Sequence, residues 1–371
     1  MIGKLEYWWR HCVVYPVLRR VFHNPELNSP IDIHSVKKIL VLRYDRIGDM
    51  IVTTPFFKSL KDANPNIRIG VLASKTNAEI IRHNQNVDII HILPNHWWQI
   101  AKEIKNARKE NYDVILNFVF NRTTSGGILA NLIAPRGIKV GQGDEKYKFY
   151  FNKLLKLTRK NEYMVETLAS IINEAFDITL TLDQMKYDIS IDEETKMDVN
   201  NYLTQKHLRQ RFMSDKSKSP YVVFNLSAND GVRRISQEQA ASIGQHLGIK
   251  TAFRTVLIHA PNDMLMFSIT KKLEKDANCF PFPERRTATL LEIASLIEGA
   301  IAVITPDTSI VHFAAAFKTP VIGFYTQIQD IHEWFPYRVK HKIIMSDKNK
   351  PTSSIPVTLM IEEIDEFLRD M

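Results

Sequence analysis

The sequence predicts an α/β protein made of two parallel-sheet units in series. Three observations predict it. The chain has 371 residues, more than one core ordinarily organises and suited to two domains. Apolar strand-like runs alternate with helix-like segments, the pattern of parallel sheets covered on both faces. That alternation gives way after about residue 144 to a charged, helix-rich stretch and restarts at Tyr221. The expected partition is an amphipathic extension at 1–36, a first domain at 37–214, a second at 215–355 and a C-terminal helix at 356–371.

In the extension, Val13, Val17 and Val21 recur at helical spacing, as do Val14, Leu18 and Phe22, with Arg10, Arg19 and Arg20 largely elsewhere on the wheel. Such a helix suits an anionic membrane surface. It equally suits docking on its own domain with a kink at Pro16. KKILVLRY reads as a strand, PFFKSLKDA as a helix, IRIGVLAS as a strand, TNAEIIRHN as a short helix and VDIIHILP as a strand. WWQIAKEIKNARKEN (helix), YDVILNFVF (strand), a helix near 126–133 and IKVGQG follow. MVETLASIINEAF is the clearest helix of the middle stretch, and SDKSKSP reads as a linker. The second series runs YVVFNLSA, SQEQAASIGQHL, FRTVLIHAP, NDMLMFSITKKLEKD, TLLEIASLIEGA, IAVITPD, SIVHFAAAF and TPVIGFY, closing on the acidic amphipathic LMIEEIDEFLRD.

Composition bounds the function. Apolar residues make up 44% and charged residues 24%, a soluble globular balance. The net charge of +8 favours an anionic partner without choosing among nucleic acid, membrane and phosphorylated substrate. The basic residues are dispersed and form no nucleic-acid recognition motif, so nucleic acid is not an expected partner. Cys12 and Cys279 make no disulfide framework, which argues for a reducing compartment. Arginines break the N-terminal apolar stretch, no cleavage site follows it, and no apolar run is long enough to span a bilayer. A cytoplasmic protein is expected.

Two stretches carry chemistry. In ILVLRYDRIGDMIVTTPFFKSL, a buried strand leads through a turn with one glycine, Gly48, and one acid, Asp49. The dinucleotide fingerprint GxGxxG and the Walker A pattern are both missing, so this turn does not cradle phosphate in the glycine-rich way. Thr54 suits a helix N-cap and Pro55 the first helical position. That leaves Asp49 in a loop at the carboxyl end of a strand, where open α/β sheets bind ligands, as a candidate general base. In IAVITPDTSIVHFAAAFKTPVIGFY, Thr308 can cap a helix whose free N–H groups would meet an anion. His312 lies one turn on, and Asp307 can accept from sugar hydroxyls.

Together these stretches resemble glycosyltransferase family 9, the lipopolysaccharide heptosyltransferases, with weaker matches at YDVILNF, VRRISQEQ and LIHAPND. The resemblance spans nearly all the chain after about Val36. It implies the GT-B fold, two Rossmann-like domains with parallel sheets facing across a cleft. It implies an inverting, metal-independent transfer with no cofactor. The donor would be a nucleotide sugar, typically ADP-heptose, and the acceptor a lipid-linked anionic glycan at the inner membrane. By this resemblance Asp49 is the catalytic base, and Arg233 and Arg234 neutralise the leaving diphosphate. Asp307, Thr308 and His312 contact the donor sugar and phosphate, and Asp263 holds the nucleotide ribose. Gly48 and Arg122 lie on the acceptor side. Alternatives are a related transferase using a different nucleotide sugar and a non-catalytic nucleotide-sugar-binding module. His91, His96, Trp97 and Trp98 read as a strand–helix junction with core tryptophans, and Lys146 and Lys148 as a solvated basic face.

Overall fold

The computed structural model describes residues 10–22, 24–120, 123–156, 162–275, 279–284, 287–326 and 332–371. The chain divides into two compact units, Met1–Lys186 and Tyr187–Met371. In the first, the strands are β1 (Lys38–Arg43), β2 (Arg68–Ser74), β3 (Ile89–Leu93), β4 (Val114–Asn117), β5 (Ile138–Gln142) and β6 (Lys153–Leu155). The helices are α1 (Tyr15–Val21), α2 (Ile47–Ala63), α3 (Trp97–Lys109), α4 (Thr123–Ile133) and α5 (Met164–Phe176). The strands pair in parallel in the order β3-β2-β1-β4-β5-β6. The order reverses between β1 and β4, so the crevice at their carboxyl ends is the place where such a sheet takes a ligand. β1 is apolar on both faces because both are covered. Leu40 and Leu42 pack with Ile115, Leu129 and Ile133 under α3 and α4, while α2 packs on α5.

The second unit begins with α6 (Glu193–Gln205), which packs on α9 (Leu290–Gly299). β7 (Leu208–Arg209) pairs with β8 (Ser219–Asn225). The stretch just before residue 214 therefore packs with the second sheet. α7 (Gln237–Lys250), β9 (Arg254–Ile258), α8 (Met264–Lys275), β10 (Cys279–Pro281), β11 (Val303–Pro306), α10 (Ser309–Phe317), β12 (Val321–Tyr325), β13 (His341–Met345) and α11 (Val357–Arg369) complete it. The parallel order β10-β9-β8-β11-β12-β13 repeats the first sheet's plan, with its reversal between β8 and β11. Ser236 with Gln239, and Thr289 with Glu292, form capping boxes that start α7 and α9. Val222, Phe224, Ile243, Leu247, Met360 and Ile364 join strand, α7 and α11 in one core.

The structure corrects two expectations. The helix after β1 starts at Ile47, not at Thr54–Pro55, so Pro55 is interior and Asp49 is helical. An interior proline leaves the carbonyl four residues back without its N–H donor. Here the buried Thr54 hydroxyl donates to that carbonyl, Ile51 O, at 2.7 Å. Secondly, Trp97 and Trp98 are not core residues: they are 77% and 54% exposed. Trp98 stacks on His96, with ring centroids 4.8 Å apart. His91 alone of that group is buried, between Glu103 and Tyr112. Lys146 and Lys148 are surface partners of Asp144 and Glu26.

The N-terminal helix docks on its own unit. Tyr15 is buried against Tyr147 and Phe149, and its hydroxyl lies 3.1 Å from that of Thr124. Its outer stripe stays open, with Val17 54% and Val21 64% exposed. Among the described residues, no helix is long and apolar enough to cross a membrane.

Thr54→Val should destabilise the protein by about 1–3 kcal/mol, the cost of leaving one buried carbonyl unpaired, while Thr54→Ser should stay close to the parent. Urea denaturation of the three proteins checks this, and equal midpoints for parent and valine variant would refute the replacement bond.

Candidate active site

In the first unit, β1 ends on a charged residue that is completely buried. Arg43 has no solvent exposure, so every arm of its guanidinium must find an acceptor within the protein. Nε donates to the backbone oxygen of Asp49 at 2.9 Å, and Nη2 to Asp49 Oδ1 at 3.0 Å. Nη1 donates to Asp45 Oδ2 at 3.2 Å and to the carbonyl of Phe118, beyond the end of β4. The Phe120 ring lies 5.7 Å from the guanidinium carbon. Asn77 ties down the turn from outside, donating to the carbonyl of Arg43 at 2.9 Å. The three-residue turn between strand and helix is thus fixed around one cation.

Asp49 sits in the first turn of α2, where the helix's unpaired N–H groups favour negative charge. Its side chain retains 13% exposure, on the carboxyl edge of the sheet at the β1/β4 reversal. Gly48 is buried in the same helical turn, rather than in a tight turn requiring glycine. Asp45 lies on the opposite side of Arg43. Burial pushes its carboxyl up to about 6; the Arg43 charge opposes the rise and the Asp49 charge adds to it. Arg122 lies outside the described residues.

In the second unit the residues gather where β8 and β11 end. Thr308 is the N-cap of α10, accepting from Ile310 N at 3.3 Å. Its hydroxyl is set by Asn225, which reaches both Thr305 (2.9 Å) and Thr308 (3.3 Å). Asp307, nearly buried, pairs with Arg233 at 3.1 Å. Arg234 is held through Nε to the carbonyl of Ala228 at 2.8 Å. No acidic residue sits in the first turn of α10, and Asp307 just before its cap is paired with Arg233. His312 is fully enclosed between the edges of Tyr187 and Trp334, and desolvation holds its imidazole down at about 4, hence neutral at pH 7. Asp263 closes the start of α8, accepting from Met266 N at 3.3 Å, and takes the Ser227 hydroxyl at 3.0 Å.

The structure therefore brings Arg233, Asp307 and Thr308 together, sets His312 one turn along α10, and holds Asp49 at the matching place on the first sheet. Sequence reading missed Arg43, Asp45 and Asn225. The signal for the first two was a cation closing a fully apolar strand with acids two and six residues on.

Two sheets of the same strand order, each with polar groups at its reversal point, offer a ligand place at the carboxyl edge of each. The profile of glycosyltransferase family 9 (heptosyltransferase) matches residues 98–359. The chain belongs to this family. It is a heptosyltransferase-like glycosyltransferase of the GT-B class. Lipopolysaccharide heptosyltransferase 3 of Escherichia coli is 23% identical over 347 residues, covering 86% of this chain and 96% of that protein. Among solved structures, a family 9 glycosyl transferase from Veillonella parvula superposes with a TM-score of 0.76 at 18% identity, over 92% of this chain and 99% of that one. The E. coli ADP-heptose lipopolysaccharide heptosyltransferase II does so with 0.69 at 20%, over 90% and 99%. At these identities the superpositions establish the shared fold.

Asp45 should leave a mark on stability. Its folded carboxyl titrates near 6 and its unfolded one near 3.9. Its contribution is full below about 4 and lost as pH rises through 6. Asp45→Asn has no such loss, so its stability relative to the parent should improve between pH 4 and pH 7. Thermal melts across that range test this; a pH-independent difference would refute it.

Proposed function

We propose that this protein is an inverting glycosyltransferase that moves a heptose from ADP-heptose to a lipid-linked anionic glycan such as a lipopolysaccharide core, with Asp49 as general base. The observation that carries the reading is the position of Asp49: a partly exposed carboxylate on the carboxyl edge of the first sheet, at its reversal point. The acceptor hydroxyl gives its proton to Asp49 as its oxygen attacks the anomeric carbon. The bond from that carbon to the diphosphate breaks on the opposite face, which inverts the centre, and ADP departs with the electron pair. Negative charge grows on the diphosphate, so cationic groups aimed there lower the barrier. Arg233, Arg234 and the open N-terminus of α10 fill that role, so the reaction requires no metal. Asp307 and Thr308 take the sugar and phosphate oxygens. His312, held neutral, adds a hydrogen-bonding ring without charge. Asp263 serves the ribose, while Gly48 and Arg122 border the acceptor. An open cavity of about 550 Å³ lined by Gln142, Gly143, Asp144, Glu145 and Lys156, at the end of β5, offers polar groups to the acceptor's further sugars.

Adenine and heptose are supported by the family and by relatives such as the E. coli ADP-heptose lipopolysaccharide heptosyltransferase II. The reading places the enzyme at the cytoplasmic face of the inner membrane, where its acceptor lies. The outer stripe of α1 supports that contact: Val17 and Val21 are exposed beside Arg20.

Asp49→Asn should lower turnover by about 10²–10⁴-fold with ADP affinity unchanged, since the base acts on the acceptor. Arg233→Ala should instead weaken ADP binding by about tenfold, roughly the worth of one charge-assisted contact. Calorimetry with ADP, UDP and GDP, alongside transfer assays, separates the outcomes. Preference for UDP or GDP would change the sugar nucleotide, and full activity in the asparagine variant would remove Asp49 from catalysis.

Val17→Asp with Val21→Asp should reduce co-sedimentation with vesicles containing anionic lipid and leave ADP binding intact. Unchanged vesicle binding would place the membrane contact elsewhere.

A further inference from the structure

Asp49 is paired with the buried Arg43 and lies in the first turn of α2. The same Arg43 also holds a second carboxylate: Asp45 Oδ2 takes Nη1 at 3.2 Å while Asp49 Oδ1 takes Nη2 at 3.0 Å. One buried cation is therefore divided between two acids, with one oxygen of each tied to a different arm.

We propose that Asp45 is a positioning residue for the base: by occupying one arm of Arg43 it stops the guanidinium from fully neutralising Asp49, and it keeps the Asp49 carboxylate both oriented and able to accept a proton. This inference rests on the reading of Asp49 as the base.

The surroundings fit. The charges acting on Asp45 are Arg43 from β1 and Asp49 from α2. The other groups packed on Arg43 are neutral: the Phe118 carbonyl and Phe120 ring beyond β4, and the Asn77 amide from the other side. The Arg46 side chain is exposed to solvent. The two acids thus share one cation and little else among the described residues. Burial pushes the midpoint of Asp45 up to about 6. Below that pH Asp45 is neutral and leaves Arg43 to Asp49 alone; above it Asp45 is ionised and competes for the cation.

The test is the pH profile of kcat/KM for an inner-core lipopolysaccharide acceptor at saturating ADP-heptose, from pH 5 to pH 9. The parent, Asp45→Asn, Asp45→Glu and Asp49→Asn enzymes are compared, with ADP affinity measured for each. The parent should show an acid limb centred near 6. In Asp45→Asn that limb should disappear and activity at pH 8 should fall roughly three- to tenfold, a fraction of the worth of a positioned base. ADP affinity should hold. Asp45→Glu, which keeps the charge, should retain the limb. If Asp45→Asn merely scales the parent curve without moving the limb, or if Asp45→Glu loses the limb as the asparagine variant does, the tuning role is overturned. Failure of the underlying reading looks different: Asp49→Asn would itself stay active.

Discussion

A buried guanidinium organises the first unit. Arg43 closes an apolar strand with no access to water, and a desolvated charge is tolerated only when its donors are satisfied. The acceptors it finds are two carboxylates and the carbonyls of Asp49 and Phe118. Those acceptors come from the turn, the first turn of α2 and the chain beyond β4. Their common demand fixes where the helix begins and where Asp49 points. A long, flexible lysine would supply a point charge but not the planar fork that reaches a backbone oxygen and two carboxylates together.

The second unit solves the same positioning task mostly with neutral groups. Asn225 spans from β8 to Thr305 and Thr308 and so ties the β8 and β11 ends at their reversal point. The ion pair of Arg233 with Asp307 is partly solvated: a quarter of the arginine side chain is exposed. A charge left partly in water costs little to rearrange. Arg233 can therefore be redirected at little cost, whereas Arg43, locked in the interior, cannot.

Much of this was readable from the residues alone, and the misses have physical causes. Two rounds of apolar runs and helices gave two parallel sheets, because burial on both faces enforces continuous apolarity. Thr308 was legible as a cap, since a strand-end threonine followed by a helical run has few other conformations. The start of α2 was misread because Thr54–Pro55 is a local signal and Arg43 is a tertiary one. The buried ion set demands helix at Asp49, and the Thr54 hydroxyl repairs the gap left by proline. Trp97 and Trp98 were taken as core from their hydrophobicity; exposure is decided by what packs on them, which sequence does not state. The short strands β6, β10 and β13 went unremarked, since three to five residues of partly buried chain carry little periodicity.

The two units put the same element, a helix N-terminus at the carboxyl edge of a parallel sheet, to opposite uses. The first turn of α10 carries no acidic residue, and Asp307 just before its cap is paired with Arg233. At the start of α2 that place is already filled by Asp49. An anionic group arriving there would meet a carboxylate. The filled end instead holds a partly exposed carboxylate against the buried Arg43.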